Sequence, residues 1–134
     1  MIFVDTSFWV AVRNKRDPHH AAATALLQAH SNRALVTTNH IRGETWTYLN
    51  RKGGHDSAVG FLDALDSSPR AQVVRVASKL EAAALDWLRR HDERAYSFVD
   101  ATSFAVMRSM RIREALAFDG DFAAAGFIEL RPRG

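Results

Sequence analysis

Short, wholly apolar runs separated by longer stretches of helical periodicity dominate this chain, and that alternation restricts it to few architectures. Residues 2–4, Ala34-Leu35-Val36-Thr37, Gln72-Val73-Val74-Arg75-Val76, Ala115 to Phe118 and Phe127 to Leu130 read as strands. Runs this short and this apolar suit strands covered on both faces. Helices are predicted between them: from the end of the first strand to about Arg13, His19 to about His30, Asn39 to Arg51, about Asp56 to Asp66, Ser78 to about His91, and Ser97 to about Met110. Pro18 precedes the second, Gly53-Gly54 breaks the third, and Ser78-Lys79-Leu80-Glu81 has the spacing of a capping box. The pattern implies parallel βαβ units with helices on both faces of one sheet. In such sheets ligands gather where strands end at their carboxyl termini. Asp5 and Asp119 both follow an apolar strand at that end.

The length, 134 residues, is that of one domain spanning the whole chain, without repeats or linkers. Cysteine is absent, so disulfides and thiolate chemistry are excluded. The N-terminal apolar run is cut by Asp5, too early for a signal peptide or a membrane span, and a cytoplasmic protein is expected.

Four acids stand where an acidic side chain is costly. Asp5 ends the first strand, Glu44 shares a helical face with Ile41 and Tyr48, Asp100 lies beside the inward stripe of its helix, and Asp119 ends the run Ala115 to Phe118. Burying a lone carboxylate costs several kcal/mol or shifts its pKa, so a group near one core calls for a cation. Each also has a structural reading. Asp5 could cap the next helix, although Thr6 and Ser7 already offer hydroxyls there. Glu44 could bond to Tyr48. Asp100 completes a capping box with Ser97. Asp119-Gly120-Asp121 makes a good turn, whose chemistry does not decide which Asp is functional. Taken together the four suit Mg²⁺ or Mn²⁺, hard ions that take oxygen ligands and need few carboxylates each. Such an ion activates water and stabilises charge on a phosphoryl group, which equips a site for phosphodiester hydrolysis. The six histidines show no zinc spacing, His19-His20 reads as a surface pair, and no phosphate-binding glycine loop occurs.

Charge points the same way. The net charge is +3, and setting the four acids aside leaves an excess of seven positive charges, mostly arginine. That balance favours a polyanion, and guanidinium both clamps phosphate and stacks on bases. Arg13, Lys15 and Arg16 form a basic turn suited to an RNA backbone or simply to solvent. Trp9 and Trp46 are each either a base-stacking platform or part of the core or a dimer contact.

In order along the chain, Phe3-Val4-Asp5-Thr6-Ser7, Thr37-Thr38-Asn39-His40-Ile41-Arg42-Gly43-Glu44, Ser97-Phe98-Val99-Asp100 and Phe118-Asp119-Gly120-Asp121-Phe122 resemble the motifs of PIN-domain proteins, specifically VapC-type toxin ribonucleases. The resemblance implies a three-layer α/β/α fold around a central parallel sheet. It implies a Mg²⁺- or Mn²⁺-dependent endoribonuclease acting on tRNA or ribosomal RNA. A homodimer and a cognate antitoxin that occludes the active site are implied as well. Carried over, Asp5, Glu44, Asp100 and Asp119 are the catalytic and metal-binding acids, Thr6 or Ser7 orients ligands or water, and Asp121 is auxiliary. Ala117 stands where many relatives carry Thr or Ser.

Three rivals compete. A haloacid-dehalogenase-type phosphotransferase needs a second Asp where Ser7 stands, and a receiver domain needs adjacent acids before Asp5. A degenerate PIN module would bind RNA or protein without cutting. An RNA-processing nuclease would act without an antitoxin.

Overall fold

The computed structural model describes residues 1–133. Five short strands, β1 (Ile2–Val4), β2 (Leu35–Thr38), β3 (Ala71–Val74), β4 (Glu114–Leu116) and β5 (Ile128–Glu129), form one sheet in the order β3-β2-β1-β4-β5. Every pairing is parallel; Phe3 sits between Val36 on one side and Ala115 on the other. The helices are α1 (Thr6–Arg13), α2 (His20–Ala29), α3 (Asn39–Gly53), α4 (His55–Ser67), α5 (Ser78–Arg90), α6 (Phe98–Met110) and α7 (Asp121–Ala124).

The chain leaves β1 toward β2 and β3, then returns past β1 to β4 and β5. With right-handed crossovers, that reversal puts α1 to α4 on one face and α5 to α7 on the other. The packing agrees: α1 lies on α2 and α3, α3 on α4, α5 on α6 and α6 on α7. The three-layer α/β/α arrangement expected from the sequence is therefore present, and its switch point falls between the adjacent strands β1 and β4. Phe3, Phe8, Phe61, Phe104 and Phe122 are fully buried, and Phe104 meets Phe122 edge-on at 5.0 Å.

Three local readings change. The helix α7 is new, because four residues are too few to show helical periodicity. The stripe expected on α6 is too narrow: every residue from Asp100 to Met107 is buried, since α3, α5 and α7 also pack on this helix. Glu44 is not on the inward stripe of α3. Ile41, Thr45 and Leu49 make that stripe, while Glu44 and Tyr48 are exposed on its flank, so no hydrogen bond is needed to rescue a buried acid.

Candidate active site

A cleft of about 500 Å³ opens at the carboxyl ends of β1 and β4, with Asp5, Thr6, Ser7, Glu44, Asp100, Asp119 and Asp121 in its lining. All four motifs read from the sequence thus meet in one place.

Asp5 and Asp100 are both helix caps and both cleft residues, so the two readings open at each position hold together. Asp5 follows β1 and caps α1; its Oδ2 accepts the Ser7 backbone N–H at 3.2 Å and the Ser7 hydroxyl at 2.7 Å. Ser7 Oγ in turn accepts the Phe118 N–H at 3.0 Å, tying the residue before Asp119 to the start of α1. That hydroxyl enters from the first turn of α1 and reaches the chain just after Ala117, beyond the end of β4. Asp100 closes the capping box of α6: its Oδ2 accepts the Ser97 N–H at 3.1 Å, and its own N–H donates to Ser97 Oγ at 2.9 Å. In both acids the bonds fall on one oxygen, leaving Oδ1 for another partner.

The tight turn after β4 holds the other two acids. Gly120 takes a positive φ of 83°, which glycine adopts without penalty, and Asp119 Oδ1 accepts the Asp121 N–H at 3.2 Å. Oxygens of Asp100, Asp119 and Asp121 lie within 4.8 Å of one another, so Asp121 belongs to the compact trio and Asp5 stands just outside it. Arg94, on the loop between α5 and α6, donates from Nε to Asp121 Oδ1 at 2.6 Å and from Nη2 to the Asp119 carbonyl at 3.0 Å.

Burial, and after it the crowding of like charge, shows in the protonation equilibria. Burial, and next the charge of Asp119, raise the Asp5 pKa to about 7 against the pull of the Ser7 hydrogen bonds. Burial, with the charges of Asp121 and Asp119, likewise lifts Asp100 to about 7. Asp119 is raised by partial desolvation of its carboxylate and by its acidic neighbours Asp121 and Glu129. Thr6 Oγ1 is buried without a protein partner. A set of converging carboxylates, with protons held more tightly than usual on Asp5 and Asp100, beside an orphaned hydroxyl, has the chemistry of a site for a hard, oxygen-seeking cation.

Other expectations resolve differently. Trp9 is buried, donates to Thr37 Oγ1 at 3.4 Å and packs on Phe61 at 5.9 Å, so it is core and cannot receive a base. Trp46 is half-buried, edge-on to His55. Arg13, Lys15 and Arg16 lie outside the acidic cleft, in a pocket of their own. Sequence reasoning missed Arg94, which sits in an aperiodic loop 27 positions from its partner Asp121. His19 is exposed, as its reading as a surface residue has it, and its ring also lines the cleft and stacks on Phe118 at 4.4 Å and 4°.

Ser7→Ala would strip Asp5 and the Phe118 N–H of a shared partner. Any activity of the cleft is expected to fall about 10- to 100-fold, the usual effect of losing a group that orients a metal ligand. The fold is expected to survive at a cost of about 1–2 kcal/mol, read by thermal melting.

Residues 2–128 match the PIN-domain family, and this chain belongs to it. Within that family it is 55% identical over 132 residues to the 23S rRNA-specific endonuclease VapC20 of Mycobacterium tuberculosis, in strains CDC 1551 and H37Rv, covering 98% of this chain and 99% of the relative. The crystal structure of Mycobacterium tuberculosis VapC20, described as a sarcin–ricin loop cleaving toxin, superposes with a TM-score of 0.92 at 54% identity, covering 98% of this chain and all of that one. Among the described residues no helix is long and apolar enough to cross a membrane.

Proposed function

We propose that this protein is a metal-dependent endoribonuclease, the toxin of a toxin–antitoxin pair, that hydrolyses a phosphodiester bond of ribosomal RNA. The observation that carries the reading is the convergence of Asp100, Asp119 and Asp121 within 4.8 Å beside buried Asp5, at the switch point of the sheet. Neither phosphotransferase rival has its required second acid at Ser7 or before Asp5, and a module that only binds has no use for buried, mutually repelling carboxylates.

Asp5, Asp100 and Asp119 would hold Mg²⁺ or Mn²⁺, with Asp121 as auxiliary ligand and Glu44 reaching the ion's water shell from the mouth of the cleft. Such an ion acidifies an attacking water and offsets the charge that develops on the phosphate. The protein's part is preorganisation. Ser7 and Ser97 each fix one oxygen of a carboxylate, and Arg94 pins Asp121, so little reorganisation accompanies binding. Thr6 Oγ1 is the hydroxyl available to orient a water. The relative's named substrate makes the sarcin–ricin loop of 23S rRNA the first target to test. Membership of the VapC-type group supports a homodimer and a cognate antitoxin that covers this cleft.

The test is incubation of the purified protein with intact ribosomes in Mg²⁺, Mn²⁺ or EDTA, followed by mapping of new RNA ends. One metal-dependent cut within that loop is the expected result. Absence of cutting by folded protein with either ion, or cutting that persists in EDTA, would overturn the proposal.

A further inference from the structure

Beyond the acidic cleft, a second groove runs beside α3, with Glu44, Tyr48, Arg51 and Lys52 in its lining. It shares Glu44 and Tyr48 with the cleft. A third depression of about 370 Å³ continues from it through Lys52 and is walled by Arg13, Lys15, Arg16 and Lys52, with no carboxylate in its lining. The three hollows follow one another along α3. From Glu44 to Lys52 the axis advances about 12 Å.

The third hollow is built rather than incidental. Gly60 lies inside α4 at the point where the Arg13 guanidinium crosses the helix; a Cβ there would lie 2.6 Å from Arg13 Nη2. Glycine in a helix interior is intrinsically unfavourable, and here it makes room for a cation. At the basic turn, Asn14 Oδ1 accepts the Arg16 N–H at 3.0 Å, holding the loop that presents Lys15 and Arg16. Among the described residues no ion pair engages any of these four cations; the arginines that are paired with acids, Arg33, Arg89, Arg94 and Arg131, lie elsewhere. Clustered, unpaired cations repel one another and are best relieved by an anion with several charges.

We propose that Arg13, Lys15, Arg16 and Lys52 form a site for backbone phosphates of the RNA substrate, reached by a strand that leaves the acidic cleft along α3. The inference rests on the ribonuclease reading and adds to it a direction for the RNA and a role for Lys52. Binding of phosphate there is independent of base sequence; it positions the RNA while the cleft cuts.

The test measures binding rather than cleavage, so its failure is separable from that of the enzymatic reading. In an Asp5→Asn background, which leaves RNA intact, the affinity for a fluorescein-labelled RNA bearing the sarcin–ricin stem-loop is titrated by anisotropy against salt. Removing one phosphate-binding cation makes the slope of log K on log salt shallower by about 0.7–0.9, so Arg16→Ala/Lys52→Ala is expected to lower it by about 1.5. Lys79→Ala/Arg89→Ala, which removes the same charge from α5, controls for the general field. An unaltered slope in the pocket variant, or an equal drop in the control, overturns the site. Unchanged RNA binding combined with lost inhibition by the co-expressed antitoxin would reassign the pocket to a protein partner and also overturn it. Failure of the Asp5→Asn protein to bind the RNA even at low salt would overturn this site and leave the ribonuclease reading to the cleavage assay.

Discussion

Asp5→Asn is expected to abolish RNA cleavage, by roughly 10³-fold or more, while raising the melting temperature of the metal-free protein. The two effects share one cause. Asp5 is 3% exposed, and with its pKa raised to about 7 its charge is held at a cost in neutral buffer. An amide keeps the shape, and its oxygen can accept both Ser7 hydrogen bonds. It removes a charge that burial and Asp119 oppose. That relief is worth of order 3 kcal/mol at pH 8, or a rise of roughly 10 °C for a domain of this size. A variant that is inactive and melts lower would mean that Asp5 serves α1 as a cap more than it serves the cleft.

Stability without metal should fall as pH rises from about 4 to about 7.5, opposite to the usual carboxylate trend. Both Asp5 and Asp100 have folded-state values near 7, above the ordinary 3.8 of an unfolded chain. The folded protein therefore binds more protons across that window. Its stability from these groups is complete below the unfolded value and is lost as pH climbs through the folded one. Mg²⁺ or Mn²⁺ should reverse the loss, raising the melting temperature at pH 7.5 and having little effect at pH 5, where protons compete for the same oxygens. Melting curves across pH, with EDTA and with each ion, measure this directly. A metal-free curve that rises toward pH 7.5 would sink the account of the cleft as a set of frustrated acids.

The layered fold and the four acids were readable from the chain for a physical reason. Strands buried on both faces must be apolar throughout, and an acid that ends such a strand, as Asp5 does after Ile2-Phe3-Val4, breaks the pattern visibly. Asp100 was readable because a capping box has fixed spacing. Glu44 was found for the wrong reason: helical periodicity put it with Ile41, whereas it lies on the exposed flank of α3, and only the motif order brought it to the cleft. Arg94 and His19 left no trace, because a loop residue reaching across the fold obeys no local period. The acidic trio of Asp100, Asp119 and Asp121 likewise depends on turn geometry, which a run of Asp-Gly-Asp leaves undecided. Arg13 and Lys52 are far apart in sequence, so their shared hollow becomes visible only once α1 has packed against α3.

The bond from the Phe118 N–H to Ser7 Oγ joins positions 111 residues apart. Because β4 slots in beside β1 only after the chain has passed through β2, β3, α5 and α6, Asp5 emerges early in synthesis and waits for nearly all the rest. Asp119, Asp121 and the Ser7 bridge come last. A growing polypeptide of this kind carries no assembled cleft through most of its translation, and its acids meet only once the segment through Asp121 has left the exit tunnel. Chain order acts here as a delay, set by topology alone.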